Sequence, residues 1–104
     1  MLRMDLEYLS GILFIGLKGM LTGKDTNQIY NYVIPVANKH KIKEIVFDLC
    51  DLEYIDEYGL TAINEVKETL NKMGGDIYLY NVNEKDKRRM LSLNFKIISS
   101  QKLS

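Results

Sequence analysis

An α/β layer fold is what this chain predicts: a mixed sheet of four to five strands, in the order β-β-α-β-α-β-α-β, packed with helices on one face or both. Three observations lead there. Two runs of branched and aromatic residues are separated only by Ser10-Gly11, further apolar runs alternate with segments of helical period, and capping residues or glycines stand at the joints between them. With 104 residues the chain is long enough for one compact domain, 1–104, and too short for two.

Residues 3–9 and 12–18 (ILFIGLK) read as an antiparallel hairpin, and the second strand, apolar on both faces, belongs inside the sheet. The following GMLTGKD is expected to be a loop. Asp25 or Thr22 then caps a helix, with Gln28 reaching back as in a capping box. Ile29, Val33, Val36, Ala37 and His40 give that helix a narrow apolar face, and Pro35 predicts a kink or an early stop. Lys43 to Leu49 (KEIVFDL) is a strand reached by a crossover. The next helix follows Asp56, turns Ile63, Val66, Leu70 and Met73 inward, and stops at Gly74-Gly75. Residues 76–82 (DIYLYNV) form a buried strand. Asn83 caps a last helix, 84–93, with Met90 and Leu93 inward, and FKIIS at 95–99 closes the sheet. Tyr54 and one of Tyr78 and Tyr80 are expected in the core.

Composition excludes several function classes. Fourteen basic residues balance fourteen acidic ones, so no net field draws the molecule toward nucleic acid, and the basic run Lys85 to Arg89 reads as a solvated helix face. The N-terminus lacks the apolar stretch of a signal peptide, and no window approaches the roughly 18 apolar residues of a membrane span. A soluble, cytoplasmic protein without membrane insertion is therefore expected. One Cys and one His supply no zinc or redox site, so neither metal nor cofactor is expected. Cys50 reads as a buried filler and His40 as a charge near a helix C-terminus.

The informative stretch is VFDLCDLEYIDEYGLTAINEV, residues 46–66, where a strand hands over to a helix at Asp56-Glu57-Tyr58-Gly59-Leu60. The first amides of a helix lack intrahelical partners, and the aligned peptide dipoles add a partial positive charge. Asp56 is placed to cap them. Glu57 gains only the weaker dipole attraction of roughly 0.3–1 kcal/mol and should stand out into solvent. Gly59 costs a helix interior roughly 1 kcal/mol, which suggests that another backbone or a ligand comes close there.

This run, with the Gly74-Gly75 stop and the closing RRMLSLNFKII, resembles the STAS domain of bacterial anti-sigma-factor antagonists. In that family a strand ending Asp-Leu leads to an Asp-Ser-Ser-Gly-Leu or Asp-Ser-Thr-Gly-Leu turn. Asp48, Asp56, Gly59 and Leu60 fit the pattern. The resemblance implies an antagonist whose first turn serine is phosphorylated by a partner that is both kinase and anti-sigma factor, binding being released by the phosphate. This chain departs at the decisive position: Glu57 stands where the phospho-acceptor serine would be, Tyr58 replaces the second hydroxyl residue, and Thr22 stands roughly where many members have Asp. The resemblance thus implies a partner surface of Thr22, Asp56, Glu57, Tyr58, Gly59 and Thr61 that cannot be switched at Glu57, facing an anti-sigma factor or serine-kinase-type regulator: either Glu57 mimics the released form and a kinase-type partner is never held, or the partner surface has co-adapted and binding is constitutive. A non-switching STAS subunit of a signalling scaffold, or of a lipid or anion transporter, is the alternative.

Enzymatic readings find little support. Asp48, Asp51, Asp56 and Glu57 could supply a magnesium site, but Asp48 and Asp51 are three apart where a strand-end Asp-x-Asp pair needs two, and Asp48 reads as a turn-fixing residue. Gly16, Gly19 and Gly23 end in no Gly-Lys-Ser/Thr, so they make no phosphate loop. A nucleotide at the Thr22 and Gly59 surface is left as a further alternative.

Overall fold

The computed structural model describes residues 2–98, so Ser99, the last residue of the expected closing strand, lies outside the described residues. Strands β1 (Leu2–Leu9) and β2 (Ile12–Leu21) pair antiparallel with Leu9 opposite Ile12. Ser10 and Gly11, at φ +52° and +85°, make the two-residue turn whose twist matches the strands. A short 3-10 turn, Gly23–Asp25, leads into α1 (Thr26–Lys39). There follow β3 (Glu44–Asp48), β4 (Leu52–Ile55), α2 (Glu57–Lys72), β5 (Asp76–Tyr80), α3 (Glu84–Ser92) and β6 (Lys96–Ile98).

The sheet runs β1-β2-β3-β5-β6, parallel from β2 onward, with β4 paired to the far end of β2 beside β3. That path advances in one direction through three crossovers. Right-handed connections therefore place all three helices on one face. Burial agrees: Ile15, Phe47, Ile77 and Leu79 on that face share one core with Val33 of α1, Val66 of α2 and Met90 of α3. The opposite face carries Ile12, Phe14, Val46 and Tyr80, and among the described residues no helix lies above them.

Several expectations need correction. The loop expected from Gly19 starts only at Thr22, because Gly19 (φ +98°) forms a bulge through which β2 continues to Leu21 and meets β4. Strand β4 itself was not expected, which brings the sheet to six strands among the described residues. Helix α1 passes Pro35 without stopping: Asn31, whose carbonyl loses its amide partner there, is exposed like Pro35, so water can satisfy it. His40 caps α1 and is exposed rather than inward, with its ring stacked against Tyr8 at 6.3 Å. The capping box joins Thr22 to Asp25 and not to Gln28. Leu93 ends α3 facing outward, whereas Met90 is buried as expected. Tyr78 and Tyr80 lie two apart on the uncovered face and are both half-buried.

Candidate functional site

Asp56 lies in extended backbone just before α2 and organises the joint through both carboxylate oxygens. Its Oδ1 accepts the Gly59 N–H at 2.8 Å, the N-cap bond expected of it, and its Oδ2 accepts the Gly23 N–H at 3.2 Å. Its own N–H donates to the Leu21 carbonyl at 3.2 Å. One residue thus ties the end of β2, the 3-10 turn and the start of α2 together. Since both oxygens are engaged, Asp56 positions the surface.

Gly59 is buried, and an added Cβ would lie 2.6 Å from the Leu21 carbonyl oxygen and 2.8 Å from Leu21 Cγ. The backbone that comes close is the chain's own β2, so Gly59 is internal packing and is removed from the presented surface.

Glu57 is the first residue of α2, and its side chain is 82% exposed, as its position beyond the cap predicts. Tyr58 is 68% exposed and its ring rests against Gly23, where an added Cβ would be 3.5 Å from Cδ2. Thr61 is exposed, and its hydroxyl donates to the Glu57 carbonyl at 3.0 Å. Thr22 is half-buried, and both its N–H and its hydroxyl donate to Asp25 Oδ2. Glu57, Tyr58 and Thr61 therefore share one exposed helix start, with Thr22 set back beside it.

Sequence reasoning passed over Arg89 as part of a solvated face. Its guanidinium crosses from α3 to the joint: Nη2 donates to Asp86 Oδ1 at 2.7 Å and to the Ile55 carbonyl at 3.1 Å, while Nη1 reaches Glu57 Oε1 at 3.4 Å. The Asp86 hydrogen bond, with a smaller contribution from Glu57, raises the Arg89 pKa above its ordinary value, so the charge is permanent. The contact with Glu57 is long and open to solvent, a geometry that contributes at most about 1 kcal/mol. Tyr54 is 50% exposed and pairs in register with the exposed Met20, so it lies at the surface rather than in the core. Nothing in the spacing of Lys85 to Arg89 singles out Arg89, and Tyr54 is misplaced because β4 went unseen.

Asp48 fixes the turn after β3, as expected, by accepting the Cys50 N–H and an Asn81 side-chain N–H, each at 3.0 Å. Cys50 is exposed on that turn, not buried. Among the described residues no three His, Cys, Asp or Glu side chains converge as metal ligands, and no helix is long and apolar enough to cross a membrane.

Residues 3–102 match the family model for the STAS domain. An anti-sigma F factor antagonist from Paenibacillus polymyxa is 26% identical over 79% of this chain and 70% of its own length. The unphosphorylated anti-sigma factor antagonist SpoIIAA superposes with a TM-score of 0.80 over 97% of this chain and 92% of its own, at 17% identity. Its phosphorylated form gives 0.78 over 94% and 91%, also at 17% identity. An anti-sigma factor antagonist from Mycobacterium paratuberculosis gives 0.77 over 93% and 85%, again at 17% identity.

Proposed function

This chain belongs to the STAS domain family, and on that footing we propose that it is a protein-protein interaction module: an atypical anti-sigma-factor antagonist that lacks the phosphorylatable serine at the start of α2, where Glu57 stands. Its partner is a kinase-type anti-sigma factor or a related regulator. The observation that carries this reading is the exposed carboxylate of Glu57 at the first residue of α2. A phosphoryl group would bring a charge of about −1.5 to −2 and three acceptor oxygens to such a helix start. Glu57 brings one charge and two oxygens, so it imitates the releasing phosphate only in part, and constitutive binding requires a partner surface co-adapted to it.

The contact surface consists of Glu57, Tyr58 and Thr61, with Thr22 at its margin and Asp56 holding the turn beneath. Tyr58 contributes rigid aromatic area at low entropic cost. Because nothing at position 57 can be modified by a serine kinase, association with the partner does not depend on ATP.

The test is association of the purified chain with its cognate anti-sigma factor, with and without ATP, for wild type, Glu57→Ser and Tyr58→Ala. ATP should leave wild-type binding unchanged, Glu57→Ser should become phosphorylated and ATP-responsive, and Tyr58→Ala should weaken binding about tenfold or more. No association by any variant, together with no phosphorylation of Glu57→Ser, would remove the anti-sigma-factor reading. Capture of a scaffold or transporter subunit instead would select the alternative.

A further inference from the structure

The face of the sheet opposite the helices holds a trough of about 750 Å³, walled by Leu9, Ile12, Phe14, Val46, Tyr80 and Ile98. Gly16 lowers its floor, since an added Cβ there would meet only the Asp5 carbonyl oxygen, at 3.9 Å. Among the described residues three carboxylates, Asp5, Glu7 and Asp48, border the trough and no basic side chain does. Arg3 and Lys18, which pair with each other in register, lie one row farther along the strands. Asp48 is engaged by Asn81 and the Cys50 N–H, whereas among the described residues Asp5 and Glu7 have no ion-pair partner.

Helix α3 presents a matching surface. Met90 turns inward, and Lys85, Arg88 and Leu91 project outward at successive intervals of three, Leu91 being 54% exposed. Neither Lys85 nor Arg88 has an ion-pair partner among the described residues. An apolar knob with two cations on the turns before it is what an apolar trough with an acidic border accommodates. All three helices lie on the other face, so α3 cannot reach the trough of its own chain.

We propose that the uncovered sheet face docks helix α3 of a second copy of this chain, with Leu91 in the trough and Lys85 and Arg88 toward Asp5 and Glu7. The two contributing surfaces differ, so the contact is head to tail, leaves one of each free in a pair, and extends on concentration. It uses neither Glu57 nor Tyr58 and is independent of the proposed function.

Sedimentation velocity on the full chain over a concentration series tests this. The wild-type average mass should rise past that of a dimer, and fall back as salt is raised. Leu91→Lys leaves the face intact, and Asp5→Lys with Glu7→Lys leaves the helix intact; all three positions are exposed, the cation added to the helix is repelled by the altered face, and circular dichroism checks the fold. Each variant alone should stay monomeric. Their equimolar mixture should form a one-to-one dimer and nothing larger. A wild-type monomer at every concentration would overturn the proposal. So would loss of association by the face variant but not by Leu91→Lys, which would indicate face-to-face pairing.

Discussion

At residue 56 a single carboxylate serves two segments that are distant in sequence, one oxygen on α2 and the other on the turn before α1. Removal of such a cap costs about 0.5–2 kcal/mol, and the bond to Gly23 belongs to the same side chain. Asp56→Ala should accordingly lower the urea midpoint by an equivalent of about 1–2 kcal/mol with an unchanged denaturant slope. Asp56→Asn retains one acceptor for Gly59 and should lose less. Equal losses would mean that the cap is not the stabilising contact. Glu57, its neighbour, lies beyond the cap with mostly solvent around it, so Glu57→Ser should move the midpoint little. That contrast distinguishes the residue that builds the joint from the one that it displays.

Helix α2 owes its position to an element whose existence the residue pattern hides. Strand β4 has only four residues, follows β3 after three residues, and exposes its central Glu53 and Tyr54. Its burial does not alternate, and a short segment without period reads as loop. The misplacement of Tyr54 and Cys50 and the shortened β2 share that cause. Elements with strong local signals were legible: the Ser10-Gly11 hairpin, the Asp56 and Asn83 caps, the apolar stripe of α2 and the stop at Gly74, φ +86°. What local patterns cannot reveal is which distant groups meet, as Arg89 meets Glu57, or which face of the sheet stays uncovered. The site's outward residues followed from helix geometry, whereas the burial of Gly59 followed from the unforeseen end of β2. An added methyl at Gly59 meets backbone as well as the Leu21 and Ile55 side chains, so Gly59→Ala should destabilise by about 1–3 kcal/mol, read as a fall in thermal midpoint. An unchanged midpoint would show that β2 can withdraw freely from α2.

At the scale of the whole molecule the sheet has one covered and one open face, and its last strand is held at an edge. Lys96 of β6 pairs with Asp76 at the start of β5 and lies over the Tyr78 ring at 5.8 Å from its centroid. Burial pushes the Asp76 carboxyl up, but the Lys96 hydrogen bond and the Ile77 N–H outweigh it and hold the group below its ordinary 3.8. A carboxyl lowered by folding binds fewer protons folded than unfolded. Its contribution is therefore complete above the unfolded pKa and is lost as pH falls through the folded one. Lys96 is shifted the opposite way, upward by the hydrogen bond to Asp76, so its contribution is complete below its ordinary 10.5 and is lost only as pH rises through the folded value. Between those limits the pair holds β6 to β5. Urea midpoints measured from neutral pH down to about 2.5 should fall through the carboxylate range, and Asp76→Asn should show a smaller fall, starting from a lower neutral value. Hydrogen exchange at the Leu79 and Ile98 amides would identify the β5–β6 edge as the part that loosens. Parallel acid profiles for wild type and Asp76→Asn would mean that the strand is held by the Tyr80–Ile98 region and the apolar packing of Phe95 without help from the ion pair.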